Sequence, residues 1–276
     1  MKSPSSEQTA GGGRDAGPAW KDNAVYDSLR RMKRAAEARI HSARLRRRVE
    51  QGFRLVPERA LEACLTRAVQ RLQAEDPAEP RGAYLEFGVC HGASMACMHR
   101  VSRALGLSRL RLFGFDSFEG LPPEAASPDE GPWQPGQYRC SLGFARNFLD
   151  EAGVDWARTT LIKGWFRDTL TLNTCAEHRI HRASVIMIDC DICASAREAL
   201  AFCAPLIKKR AVILFDDWHA SGLAERGLGE KRAFEEFLAD NPQFHASPLP
   251  GYGENAEVFL LQRREPVGPR RWRPRA

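Results

Sequence analysis

Apolar residues recur at helical spacing from Val25 onward (Val25, Leu29, Met32, Ala36 and Ile40), with arginines between them. A second helix is predicted from Pro57, with Leu61, Leu65, Ala68, Val69 and Leu72 on one face. It ends before the polar run Glu75-Asp76-Pro77-Ala78-Glu79-Pro80. Beyond that run the pattern changes. Short apolar stretches at Ala83–Val89, Leu110–Phe115, Thr160–Lys163, Ser184–Ile188 and Ala211–Phe215 alternate with helical segments at 93–105, 141–151 and 195–209. Near-continuous apolar strands separated by helices predict a parallel sheet covered on both faces. After a further helix (Glu230–Ala239), Phe244–Pro248 and Glu257–Gln262 flank Gly251-Tyr252-Gly253-Glu254-Asn255 and predict a terminal β-hairpin. The expected fold is therefore α/β: a Rossmann-like, mostly parallel sheet with helices on both faces, a C-terminal antiparallel hairpin and a helical N-terminal extension.

Composition divides the chain further. Residues 1–19 are Ser/Gly/Pro-rich and read as a flexible leader. Residues 20–80 form a basic helical extension, 81–262 the ligand-binding domain and 263–276 a basic tail. The net charge of +6 is uneven: residues 20–55 carry 11 Lys/Arg against 4 Asp/Glu, and 263–276 carry 6 against 1. The body between them is acidic, so the basic character belongs to the ends. Such ends suit nucleic acid or another anionic partner, but nothing aromatic interleaves the densest N-terminal basic stretch, Arg30 to Arg48, and solvated termini are the plainer reading. No stretch approaches the roughly 18 consecutive apolar residues of a membrane span, and the start lacks an apolar signal core. The expectation is a soluble, cytoplasmic protein whose eight cysteines are reduced. Cys190-Asp191-Ile192-Cys193 has CxxC spacing, but no second pair or histidine pair completes a zinc site, and we read it as coincidental.

In an open parallel sheet the ligand sits beyond the carboxyl ends of the strands. Strand one ends in Glu86-Phe87-Gly88-Val89-Cys90-His91-Gly92, where Gly88 and Gly92 allow a tight turn at a helix N-terminus. Asp116 ends strand two, 24 residues past Gly92, at a place suited to ribose hydroxyls. The Gly-x-x-x-Gly spacing is not the dinucleotide fingerprint. An acid such as Glu86 beside the loop disfavours a pyrophosphate but tolerates a cationic sulfonium, which favours S-adenosylmethionine over NAD. Asp189 ends strand four, and Asp216 and Asp217 end strand five. Three carboxylates from neighbouring strand ends make an oxygen-rich site for a hard cation such as Mg²⁺. Singly, Asp217 or Asp191 reads as a helix cap.

The blocks Glu86-Phe-Gly-Val-x-x-Gly92, Asp116-Ser-Phe-Glu-Gly-Leu-Pro122, Gly164-Trp-Phe-Arg-Asp-Thr-Leu170, Ile188-Asp-Cys-Asp191 and Asp216-Asp217 occur in an order that resembles the macrocin O-methyltransferase family. The resemblance covers about residues 55–262, including the 27-residue gap from Asp189 to Asp216. It implies a class I, S-adenosylmethionine- and Mg²⁺-dependent O-methyltransferase acting on a hydroxyl of a small molecule, a sugar or secondary metabolite, and a homo-oligomer. Glu86, Gly88 and Gly92 would then hold the methionine part of the cofactor and Asp116 its ribose, with Ser117 and Trp165 near the adenine. Asp189, Asp216 and Asp217 would bind Mg²⁺. The base would be Asp189 or His219, although His219 reads equally as an exposed loop histidine. The loop from Pro122 to Tyr138 either covers the acceptor, with Trp133 or Tyr138 as an apolar wall, or is a static surface loop. One departure stands out: where the family has Gly and then Leu-Tyr-Glu-Ser-Thr around the second acid of strand four, this chain has Cys190 and Ile192-Cys193-Ala194-Ser195-Ala196. A different acceptor, or a cofactor-binding protein without turnover, is the alternative, alongside a binding module that uses the basic termini.

Overall fold

The computed structural model describes residues 55–75 and 82–264, with isolated positions 32, 33, 43 and 47. The leader, the helix expected from Val25 and the basic tail beyond Arg264 lie outside the described residues. Strands β1 (Ala83–Phe87), β2 (Leu112–Asp116), β3 (Thr159–Lys163), β4 (Ala183–Ile188), β5 (Arg210–Phe215), β6 (Phe244–Leu249) and β7 (Glu257–Arg263) form one sheet. Their order is β3-β2-β1-β4-β5-β7-β6. Strands β1 to β5 run parallel, and β7 pairs antiparallel with both β5 and β6. The mostly parallel sheet and the terminal hairpin are as the sequence predicts. From β1 the chain steps outward to β2 and β3, then returns to β4 on the other side of β1. That reversal opens a crevice beyond the carboxyl ends of β1 and β4.

The helices are α1 (Glu58–Glu75), α2 (Ala93–Ala104), α3 (Leu142–Glu151), α4 (Phe166–Thr169), α5 (Leu172–Glu177), α6 (Cys193–Cys203) and α7 (Gly229–Asp240). The expected stripe on α1 is buried in full: Leu61, Leu65, Ala68, Val69 and Leu72. It joins α2 and the strand residues Tyr84, Met187 and Leu214 in one core layer. Alternate strand residues Phe87, Phe115, Ile188 and Phe215 face the other way, where α6 and α7 cover them with Leu200, Phe234 and Phe237. Every residue of β1 and β4 is buried, as strands covered on both faces require.

Several boundaries differ from expectation. The helix expected at 195–209 starts at Cys193 and ends at Cys203, with a single 3₁₀ turn (Ala204–Leu206) after it. Pro205 has no N–H to continue the ladder. Strand β1 stops at Phe87 because Gly88 turns the chain at φ +94°. The short helices α4 and α5 after β3 carry too few residues to show a period. No helix among the described residues is long and apolar enough to cross a membrane.

Candidate active site

The loop after β1 crosses directly over the end of β4. A Cβ on Gly88 would lie 1.7 Å from the carbonyl oxygen of Asp189, so only glycine lets the two backbones approach. The Asp189 N–H donates to the carbonyl of Phe87 at 2.9 Å and locks the crossing. Asp116, at the end of β2, holds the same loop from the other side. Its Oδ2 accepts the N–H groups of Val89 and Cys90, both at 2.8 Å, and its Oδ1 accepts that of Phe118 at 2.6 Å. Burial pushes the Asp116 carboxyl up, and these backbone bonds oppose the push. Ser117 donates from Oγ to the Gly120 carbonyl and accepts from the Glu119 N–H, both at 3.0 Å.

These segments enclose a cavity of about 260 Å³. Gly88, Asp116, Ser117 and Trp165 line one part of it; Asp189, Asp191, Asp216 and Asp217 line another. Two expected cofactor residues are not on its wall. Strand alternation turns Glu86 to the face covered by α2, where it is fully buried. There it accepts from the Tyr84 hydroxyl at 2.6 Å and from Ser94 Oγ at 2.8 Å, and burial pushes its carboxyl up to about 8. Gly92 sits behind the loop as the residue preceding α2, with its missing side chain filled by Leu149.

Asp189, Asp216 and Asp217 do come together: their carboxylate oxygens lie within 4.8 Å of one another. Burial pushes all three carboxyls up, and the charges acting most strongly on Asp189 and Asp217 belong to other carboxylates. An oxygen-only donor set with no cationic side chain foremost among its neighbours fits a hard divalent ion. Two supporting residues escape a reading of the sequence. Glu230, fully buried on α7, accepts the Asp217 N–H at 3.1 Å while its Oε1 has no hydrogen-bond partner. Tyr252, in the turn between β6 and β7, donates its hydroxyl to Oδ1 of Asp216. One looks like a polar position on an amphipathic helix, the other like a turn residue between two glycines.

His219 is corrected as a base candidate. Its Nδ1 meets Glu225 at 3.0 Å and its Nε2 meets Glu257 at 3.2 Å, and the ring is not on the cavity wall. Burial alone would lower its pKa, but the two carboxylates outweigh that and raise it. It pins a surface loop. The long loop after β2 is docked: Leu121 and Ala125 pack on Ile192, and Glu130 accepts the N–H of Ala194 at 3.2 Å in the first turn of α6. Tyr138 lines the cavity, and Trp133 meets it edge to face with ring centroids 6.0 Å apart. Cys190 and Cys193 are buried thiols, with burial pushing Cys190 well above the usual range and Cys193 up to about 11. Neither is poised as a thiolate.

The model of the macrocin-O-methyltransferase (TylF) family matches residues 21–240. The chain belongs to the macrocin O-methyltransferase family. A relative from Streptomyces olivaceus, 8-demethyl-8-(2,3-dimethoxy-alpha-L-rhamnosyl)-tetracenomycin-C 4'-O-methyltransferase, is 28% identical over 143 residues, covering 50% of this chain and 53% of the relative. The chain thus spans about half the length of that curated relative. Among solved structures, the calicheamicin methyltransferase CalS11 aligns over 91% of this chain and 98% of its own, with a TM-score of 0.58 at 20% identity. The O-methyltransferase NovP aligns over 75% and 80%, with a TM-score of 0.57 at 19% identity. These two likenesses show a shared fold. Within this macrocin O-methyltransferase family member, residues 190–192 lead into α6 and 193–196 begin it, and Cys190, Asp191, Ala194 and Ser195 line the cavity.

Proposed function

We propose that this protein transfers a methyl group from S-adenosylmethionine to a hydroxyl of a small molecule, a sugar or other secondary metabolite, with Mg²⁺ held by Asp189, Asp216 and Asp217. The observation that carries this reading is the placement of those three carboxylates in the same cavity as the loop of Gly88 and the ends of β2 and β3. Family membership and the tetracenomycin-C 4'-O-methyltransferase relative support the reaction class and a glycosylated natural product as acceptor.

S-adenosylmethionine supplies an electrophilic methyl on a sulfonium, and Mg²⁺ when bound lowers the pKa of a chelated hydroxyl. The chain's own residues do the rest. The backbone of the Gly88 loop, fixed by Asp116, would form part of the wall for the cofactor, and Asp116 would hold its ribose. Ser117 and Trp165, which line the same cavity, would lie near the adenine. Asp189, on the cavity wall, is the carboxylate placed to take the proton that leaves the acceptor oxygen as the new C–O bond forms. Tyr138 and Leu121 add apolar surface to the same cavity. Holding acceptor and methyl donor in line accounts for much of the rate gain in such a transfer.

The test is calorimetric titration of S-adenosylhomocysteine into the wild type and Asp116→Ala, with and without Mg²⁺. Binding by the wild type that Asp116→Ala abolishes is expected. Absence of wild-type binding in either buffer overturns the reading and leaves the basic termini as the functional lead.

A further inference from the structure

We infer that Tyr252 is a positioning residue of the acidic site, its hydroxyl holding the Asp216 carboxylate in the orientation that faces Asp189 and Asp217. This deepens the methyltransferase reading and rests on it, because it takes those aspartates as the cation's ligands.

Tyr252 is 6% exposed, and its hydroxyl has two neighbours within bonding range: Oδ1 of Asp216 and, at 3.8 Å, the weakly accepting sulfur of Met187. Asp216 is the hydroxyl's strong acceptor. The turn that carries Tyr252 is clamped from both sides. On one side Arg67 of α1 donates to the Gly251 carbonyl at 3.3 Å, and Cys64 approaches that of Pro250 at 3.6 Å. On the other side the N–H of His219, three residues past Asp216, donates to the Asn255 carbonyl at 3.0 Å. Gly251 admits a close pass, since a Cβ there would lie 2.9 Å from the Ala256 carbonyl. The aromatic ring is therefore delivered to Asp216 by fixed backbone.

Asp216 needs such a partner. Its neighbours Asp189, Asp191, Asp217 and Glu230 are all acids, and each of them is affected by its charge or affects it in turn. Mutual repulsion would rotate a free carboxylate away from the others. A neutral donor on one oxygen opposes that rotation without competing for the cation. Such outer partners of metal ligands typically control affinity by 10- to 100-fold.

Tyr252→Phe removes one oxygen and keeps the buried ring. Calorimetry with Mg²⁺ is expected to show about 10- to 100-fold weaker binding in Tyr252→Phe than in wild type. The variant should remain folded, and its S-adenosylhomocysteine affinity in chelator-treated buffer should stay unchanged. In turnover, the Mg²⁺ concentration for half-maximal rate should rise while kcat at saturating Mg²⁺ recovers. In an Asp216→Asn background the same substitution should add little, since both changes act on one interaction. Unchanged Mg²⁺ affinity in folded Tyr252→Phe overturns the inference, as does a parallel loss of Mg²⁺ and S-adenosylhomocysteine binding. Wild type that binds S-adenosylhomocysteine but no divalent cation overturns the Mg²⁺ reading, and the inference with it.

Discussion

Gly88 illustrates how single residues set this site. Its φ of +94° and the 1.7 Å clash that a Cβ would meet at the Asp189 carbonyl tie the loop after β1 to the acid-bearing end of β4. Glu86, two residues earlier, shows the opposite outcome. Its acid character suggests a cofactor contact, yet in a near-continuously apolar strand nothing in the residue string says which way each side chain faces. Alternation sends it beneath α2, to Tyr84 and Ser94. His219 follows an acid pair and looks like a base, but Glu225 and Glu257 occupy both ring nitrogens. His219→Gln is therefore expected to keep methyl transfer within a few-fold of wild type, measured as kcat/KM across pH 6–9. A loss of about 10²–10⁴-fold, the usual contribution of a general base, would restore it to the mechanism.

At the scale of elements, the strands and their carboxyl ends were legible because each apolar run stops at a Gly or Asp cluster. The terminal hairpin was legible for the same reason. The short helices α4 and α5 were not, since four and six residues hold no period. Glu230 and Tyr252 escaped because their partners Asp217 and Asp216 lie 13 and 36 residues away, on other elements. The loop after β2 was recognisable as long and proline-rich, but its anchoring by Glu130 to α6 depends on a tertiary contact. That anchor replaces a missing side-chain cap, for Ile192 precedes the helix. Glu130→Ala should lower stability by about 1 kcal/mol, as loss of a helix cap does, read as a drop in urea midpoint. It should also raise the acceptor KM more than that of the cofactor, since the loop reaches the cavity through Leu121 and Tyr138.

Across the whole molecule, the buried acids make stability a function of pH. Folding raises Glu86 from 4.5 to about 8 and Asp191 from 3.8 to about 7. The folded state thus binds more protons than the unfolded chain between about pH 4 and 8, and stability falls as pH rises through that window. The stabilising contribution is complete below the unfolded values and gone above the folded ones. Urea midpoints should therefore fall from pH 5 to pH 8, and fall less in Glu86→Gln. Mg²⁺ should raise the melting temperature more at pH 8 than at pH 5, because protons compete less for the carboxylates at the higher pH, with chelator as the control. The sheet order adds a constraint in time. Strand β7 slots between β5 and β6, and the same hairpin brings Tyr252 to Asp216. While the chain is being synthesised, β5 keeps an open edge, and the acids after β4 and β5 stay hydrated until residues 244–263 have left the ribosome. The loop after β1 is synthesised well before the hairpin that reaches the acidic centre, so a chain stalled before residue 257 would carry an unpaired strand edge ready to join another chain.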